Sequence, residues 1–145
     1  GYGSKALKSA QDMGISLECT TGGIGIFDAL TTVTYEEPGN LITAKYETEK
    51  DNIMYGYGGN YITKVPEGAK VLIKTTADYP IEGFMSESFI KSYQNQIQAI
   101  DYEKDKYSIT LFANSMTNKA HQQDDYRYVT NAIFSKMLGD TFTLN

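Results

Sequence analysis

The chain begins with a glycine-rich turn, Gly1-Tyr2-Gly3, that runs directly into a segment with the apolar spacing of a helix. Ser4 is a suitable N-cap, the apolar residues of segment 5–13 recur at helical intervals, and Gly14 is a typical C-terminal stop. A turn between a strand and a helix carries the nucleophile of several α/β enzymes, so the residue at its centre bears on function. That residue is Gly3, which has no reactive group. The pattern predicts a helix over residues 5–13 and a turn without a nucleophile.

Short runs rich in Val, Ile, Thr and Tyr follow this helix, and turn-forming residues separate them. Such runs favour strands, and their alternation with helical patterns is typical of a layered α/β sheet. Glu37-Pro38-Gly39-Asn40 matches a type II turn, because Gly occupies the position where φ is positive. The strands are predicted over residues 15–20, 30–36, 69–75, 96–103 and 107–113, and the last two form a hairpin whose buried face holds Ile97, Ala99, Ile109 and Leu111.

A second helix is predicted over residues 122–138, and Gly139 ends its pattern. Asp124 and Asp125 lie in its first turn, where negative charge is favourable to the helix dipole. Segment 53–65 is rich in Gly and Tyr without a regular period, so it is predicted to be a loop with short strand ends. The buried face of the second helix is predicted to hold Tyr126, Val129, Ile133 and Met137.

Composition places the chain among folded domains and excludes several functions. Its 145 residues suit one domain, residues 1–145, and 41% apolar with 21% charged residues is ordinary globular usage. The net charge of −5 argues against nucleic-acid binding, which needs clustered Lys and Arg. No apolar run approaches the about 18 residues of a membrane span, so none is expected.

The residues that could bind a metal or a cofactor are too few for a recognisable site. Cys19 stands alone, so no internal disulfide or multi-Cys metal site is possible, and it reads as a small buried hydrophobe. His121 is the one imidazole, and with Asp124 it supplies too few ligands for zinc. The glycine-rich segments 21–25 and 56–59 lack the ending of a phosphate-binding loop. We expect no metal and no cofactor in this domain.

Two sets of side chains are candidates for function: acidic residues for the hydrolysis of glycosidic bonds, and tyrosines for ligand binding. Paired carboxylates can hydrolyse glycosidic bonds, although charged acidic residues are far more often surface groups. Tyrosines give rigid contact area with a polar tip, and they also occur in half-buried strands. The carboxylates are Glu36, Glu37, Glu82 and Glu87, and the tyrosines are Tyr55, Tyr57, Tyr61, Tyr79 and Tyr93.

Five segments, in their order and spacing, carry a family resemblance: residues 1–7, 40–46, 82–84, 107–113 and 126–133. The chain resembles the second half of the glutamine-amidotransferase-like domain at the C-terminus of some bacterial zinc carboxypeptidases related to carboxypeptidases A and T. The resemblance implies a flavodoxin-like, class I glutamine-amidotransferase-like α/β sandwich that is partial, because its N-terminal strands are missing. It also implies that residues 1–145 are one domain of a longer protein.

The resemblance also implies that the catalytic groups of the true amidotransferases are absent. Those enzymes place Cys at the centre of a Gly-x-Cys-x-Gly elbow, and a later His-Pro-Glu supplies the base. By this resemblance Gly3 stands at the Cys position and Lys5 at the last Gly, while Asn114-Ser115 continue the strand that ends at Ala113. Without nucleophile or base no covalent acyl transfer is possible. We therefore expect no catalytic, cofactor-binding or metal-binding residue here, and zinc only in an upstream peptidase domain.

The leading hypothesis is a non-catalytic accessory domain of a secreted or cell-envelope zinc metallocarboxypeptidase. Such a domain would orient the upstream peptidase domain or bind its peptide or cell-wall substrate, so the expected partners are that domain and a peptide or glycan. One alternative is a degenerate hydrolase that uses Ser4 or Cys19 with His121. Another is a carbohydrate- or peptide-binding module built on the tyrosines.

Overall fold

A computed structural model describes residues 1–20, 26–46, 53–56, 59–78, 82–105, 107–118 and 123–138. Within these ranges the chain forms eight strands, three α-helices and two 3₁₀ turns. The 3₁₀ turns are Leu41–Thr43 and Gln123–Asp125. The helices and strands are α1 (Gly3–Asp12), β1 (Glu18–Cys19), β2 (Ile26–Tyr35), β3 (Ile53–Gly56), β4 (Ile62–Lys64), β5 (Lys70–Thr75), β6 (Glu82–Met85), α2 (Glu87–Tyr93), β7 (Ile97–Lys104), β8 (Tyr107–Phe112) and α3 (Tyr126–Leu138).

The eight strands form one sheet in the order β1-β4-β7-β5-β2-β3, with β6 paired to β2 and β8 paired to β7. Every pairing between the described strands is antiparallel. Strand β2 pairs with β3 and β6 through its first part and with β5 through its last residues, as in Leu30 opposite Tyr55 and Val33 opposite Thr75. This double pairing places β3 at one edge of the sheet.

The mixed α/β class is confirmed, but the flavodoxin-like layout is not. A flavodoxin-like sheet is parallel, and parallel neighbours need long crossovers that usually contain a helix. Here β3, β4 and β5 follow one another with no helix described between them, and their sheet is antiparallel. The one parallel contact among the described residues is an isolated bridge between Tyr2 and Phe112.

The sheet is apolar on both faces, and a helix covers each face. Successive residues of a strand point to opposite faces, so Leu111 packs with Leu7 of α1, whereas Phe112 packs with Tyr128 of α3. Ala99 of β7 lies with Phe112 on the α3 side. The predicted hairpin face is therefore wrong: Ile97, Ile109 and Leu111 lie on the α1 side without Ala99, because the register shifts between Ile97 and Ala99.

Helix α1 confirms the predicted first helix, with a different start. Its N-cap is Tyr2, which has extended backbone, and Ser4 lies inside the helix and not at its cap. Gly14 ends the helix region with φ at +83°, and its N–H bonds the carbonyl of Gln11 at 2.9 Å. A residue with a Cβ is strained at such an angle. Glycine at this position therefore specifies where the helix stops.

Helix α3 confirms the predicted second helix, but its buried face is rotated from the predicted one. Tyr128 is fully buried and Val129 packs beside it, whereas Ile133 and Met137 are 55% and 78% exposed. Strand β6 and helix α2 have no counterpart among the predicted elements, and the strand predicted over residues 15–20 is limited to β1. No helix in the described ranges is both long and apolar enough to cross a membrane.

Candidate functional site

The carboxyl of Asp125 is buried where the second 3₁₀ turn leads into α3. Its side chain is 1% exposed, and its Oδ2 accepts a hydrogen bond from the backbone N–H of Tyr55 in β3 at 2.9 Å. Its Oδ1 is equally buried and has no hydrogen-bond partner among the described residues. An ionised oxygen without a donor is unfavourable in such surroundings. The geometry therefore favours the neutral acid.

Burial raises the pKa of Asp125 to about 7, and the negative charge of the neighbouring Asp124 acts in the same direction. The hydrogen bond from Tyr55 acts in the opposite direction, since it stabilises the ionised form. Desolvation outweighs this single donor. A carboxyl that would be ionised in water thus changes its charge near neutral pH.

A cluster of aromatic rings encloses the start of α3 beside Asp125. The ring of Tyr46 stacks on that of Tyr128 with centroids 4.0 Å apart, and the hydroxyls of Tyr128 and Tyr35 share a hydrogen bond of 2.7 Å. The hydroxyl of Tyr46 donates to the carbonyl of Asp124, and the guanidinium of Arg127 lies 5.4 Å from the Tyr46 ring centre. Burial raises the pKa of the Tyr46 and Tyr128 hydroxyls, so both stay neutral.

A second buried polar cluster surrounds Asn114, just after β8. The side chain of Asn114 accepts from the N–H of Asn60 at 3.0 Å, donates to its carbonyl at 3.1 Å and reaches Oε1 of Gln98 at 2.7 Å. The hydroxyl of Tyr93 donates to the same Gln98 oxygen at 2.9 Å. The Nε2 of Gln98 is buried and has no partner among the described residues. These hydrogen bonds connect Asn60, which precedes β4, to Asn114, which follows β8.

Gly56 of β3 lies close to the second cluster. A Cβ on Gly56 would lie 3.1 Å from the hydroxyl of Tyr93, which is tighter than ordinary contact. Gly56 directly follows Tyr55, whose N–H bonds Asp125. The charge of Asp125 also raises the pKa of Tyr93, after the larger effect of burial. Two adjacent residues of β3 therefore contact the two polar clusters, Tyr55 the first and Gly56 the second.

The alternative hydrolase, with Ser4 or Cys19 as nucleophile and His121 as base, is not tested by the described residues. Ser4 lies in α1 and Cys19 in β1, while His121 lies outside the described residues, so their arrangement is not tested. Burial raises the pKa of the Cys19 thiol. The reactive thiolate is therefore disfavoured at neutral pH, which is opposite to what a nucleophilic cysteine needs.

The tyrosines singled out in the sequence do not form one exposed surface. Tyr55 and Tyr93 are only 5% and 2% exposed, so their rings belong to the core. Tyr61 is half-buried, and its ring packs 6.2 Å from that of Tyr93. Tyr57 and Tyr79 lie outside the described residues. Two of the five therefore have no face for a ligand.

The acidic residues considered for glycoside hydrolysis are surface groups. Glu36 accepts from Thr34 at 2.7 Å and from Lys74 at 3.1 Å, and first the Thr34 bond and then Lys74 lower the pKa of its carboxyl. A general acid needs a raised pKa. Glu82 and Glu87 are exposed at β6 and α2, and Glu37 is half-buried after β2. In the described ranges, no three His, Cys, Asp or Glu residues come together as a metal site.

A shallow depression lies between β2, β5 and α2 and is lined by Thr31, Thr32, Thr75 and Thr76. Its threonine hydroxyls bond to the protein itself: Thr32 to Thr76 at 2.6 Å, and Thr75 to the carbonyl of Tyr93. The space, about 10 Å³, suits about one water molecule. It is too small for an organic ligand.

No family model, no curated protein and no solved structure matches this chain. Function is therefore inferred from its own residues and from the resemblance described above. The group that the sequence did not single out is Asp125, which has the same residue type and helix-start position as its exposed neighbour Asp124. No local signal separates the two, since burial is decided by contacts with β3.

Proposed function

We propose that this chain is a non-catalytic accessory domain of a secreted or cell-envelope zinc metallocarboxypeptidase, which orients the upstream peptidase domain or binds its peptide or cell-wall substrate. The proposal that the domain is not a catalyst rests on the burial and hydrogen bonding of the Asn114 side chain. This residue continues the strand after which the true amidotransferases carry their base, and its amide is fully buried in bonds to Asn60 and Gln98. An amide has no basic nitrogen and, held in this way, has a structural role.

Gly3 supports the same conclusion from the nucleophile side. It stands at the position that the resemblance gives to the catalytic cysteine, and its φ is +74°. A side chain is strained at that angle. Ser4 beside it lies within α1, and Cys19 has a raised pKa. The glycine at position 3 and the disfavoured thiolate of Cys19 both support a non-catalytic role.

The peptidase context rests on the sequence resemblance alone. That family implies a flavodoxin-like parallel sheet, and the antiparallel pairing of the described strands lends that layout no support. No specific contact between the described residues favours the hydrolase or the tyrosine-based alternative. The proposed accessory role is therefore supported by Gly3 and Asn114, which stand where the resemblance places a nucleophile and a base. The proposed link to a metallocarboxypeptidase is supported by the sequence resemblance alone.

The non-catalytic part is tested on the purified chain with glutaminase, esterase and carboxypeptidase substrates. We expect no turnover above that of buffer, with or without added zinc. Turnover that disappears in Ser4→Ala or Cys19→Ala would contradict it.

The peptidase context is tested separately by reading the full open reading frame and deleting residues 1–145 from the protein it encodes. An upstream carboxypeptidase domain whose activity on peptide or wall substrates falls after the deletion supports the proposal. A reading frame without a zinc peptidase domain would remove this part and leave the non-catalytic part standing.

A further inference from the structure

Several hydrogen bonds hold the first part of α3 to the rest of the domain, and three of them differ in their dependence on a proton. Asp125 accepts from the N–H of Tyr55, the carbonyl of Asp124 accepts from the Tyr46 hydroxyl, and Asn131 further along α3 donates to the carbonyl of Ile42 at 3.1 Å. The last two join uncharged groups. Only the contact of Asp125 depends on whether a proton is bound.

The described residues around Asp125 provide little to stabilise a negative charge. From β3 it receives the N–H of Tyr55. The other ionisable groups near it in the described part of the chain are the hydroxyls of Tyr46, Tyr93 and Tyr128 with the carboxylate of Asp124. The nearby cation, Arg127, lies 3.9 Å from the Asp124 carboxylate. No ion pair to Asp125 occurs among the described residues.

We propose that Asp125 is a proton-operated latch, whose neutral carboxyl holds the N-terminal end of α3 against β3 and whose ionised carboxylate loosens that end. On ionisation the proton passes to solvent, and the charge remains on a buried group with one oxygen lacking a donor. The charge is relieved when turn Gln123–Asp125 moves toward water. That movement breaks the bond to Tyr55 and then the bond from Tyr46 to Asp124.

The pH at which the latch operates follows from burial. Desolvation raises the pKa of Asp125 to about 7, so the change in charge falls in the neutral range. The adjacent Asp124 is 66% exposed and provides a matched control, since it is the same residue type in the same turn without burial. The latch is independent of the proposed function, because it concerns one contact within this chain.

The experiment is amide hydrogen exchange, read by NMR at the Tyr55 amide and along α3, with protection factors corrected for intrinsic exchange. In the unmodified chain we expect protection of the Tyr55 amide to fall about tenfold or more between pH 6 and pH 8.5. In Asp125→Asn, which has no charge to lose, protection should not vary with pH. In Asp124→Asn the fall should persist.

A direct titration keeps the proposal testable should Asp125→Asn fail to fold. The ¹³C shift of the Asp125 carboxyl is followed against pH in the unmodified chain, and a midpoint near 7 supports the latch. A midpoint in the usual aspartate range, near 4, would overturn it. Protection that is independent of pH in the unmodified chain, or that falls equally in Asp125→Asn, would overturn it as well.

Discussion

The backbone N–H of Tyr55 donates a hydrogen bond of 2.9 Å to Oδ2 of Asp125, although the two residues lie 70 positions apart in the chain. This bond joins an edge strand of the sheet to the turn that starts α3. Burying a charge on a carboxyl whose Oδ1 has no partner among the described residues is costly, so the folded chain favours protonated Asp125. The stability of the domain should therefore depend on pH in an unusual direction for an aspartate.

The first prediction concerns this pH dependence. The pKa of Asp125 is raised from 3.8 to about 7 in the folded chain, so the folded state binds more protons than the unfolded state between these values. The contribution of Asp125 is largest below pH 4 and is lost as pH rises through 7. Each unit by which the pKa differs between the folded and unfolded states corresponds to about 1.4 kcal/mol in the free energy of unfolding, which gives a few kcal/mol in total.

Urea unfolding between pH 4 and pH 9 measures this contribution. The lowered pKa values of Glu36 and Glu103 act oppositely and reduce stability in acid, so the comparison must be made between variants. The difference between the unmodified chain and Asp125→Asn should change across the neutral range. The same difference for Asp124→Asn should stay nearly constant, and equal curves for both variants would contradict the prediction.

The second prediction concerns the buried amide of Asn114. Asn114→Ala removes the side chain that satisfies both backbone groups of Asn60 and leaves Gln98 with fewer bonds. Buried polar groups left without partners are costly, so we expect the free energy of unfolding to fall by about 2–4 kcal/mol. The control is Ser115→Ala at the half-buried neighbour, with a change below about 0.5 kcal/mol. Similar denaturation midpoints for the two variants would count against this role.

The third prediction compares two positions of α3. Tyr128→Ala should reduce stability by about 3–5 kcal/mol, because the ring is fully buried against Tyr46 and Phe112. Met137→Gln, at a position that is 78% exposed, should change it by less than about 0.5 kcal/mol. Thermal or urea unfolding of both variants checks the orientation of the helix. Loss of stability in Met137→Gln would show that the apolar stripe predicted from sequence faces the core.

The fourth prediction concerns Gly14. Gly14→Ala should reduce stability by about 1 kcal/mol or more, because φ at this position is +83° and a side chain is strained there. A Cβ would meet no atom within 4 Å, so the cost is conformational and not a clash. Ser9→Ala on the exposed side of α1 is the control and should be neutral or slightly stabilising. Equal stability of Gly14→Ala and the unmodified chain would contradict the left-handed helix end.

The features that could be predicted from sequence are those whose causes are local. Helix α1 ends where Gly14 adopts a positive φ, and the turn before Asn40 forms where Gly39 has φ at +78° and Asn40 bonds the carbonyl of Glu37. The hairpin of β7 and β8 joins neighbouring strands, so its short connection also identifies it. The hydrolase geometry stays a prediction, since His121 lies outside the described residues.

Only the tertiary structure decided which strands pair, which face of α3 is buried and which aspartate carboxyl is buried with a raised pKa. The pairing of β2 with β5 and β3 joins distant segments, and it made the sheet antiparallel where the resemblance implied a parallel one. Asp124 and Asp125 are equivalent in sequence, yet Asp124 is exposed, whereas Asp125 is buried and accepts a hydrogen bond from the backbone N–H of Tyr55. Burial depends on what the rest of the chain places against a residue, so the local pattern that predicted the helix could not separate the two carboxyls.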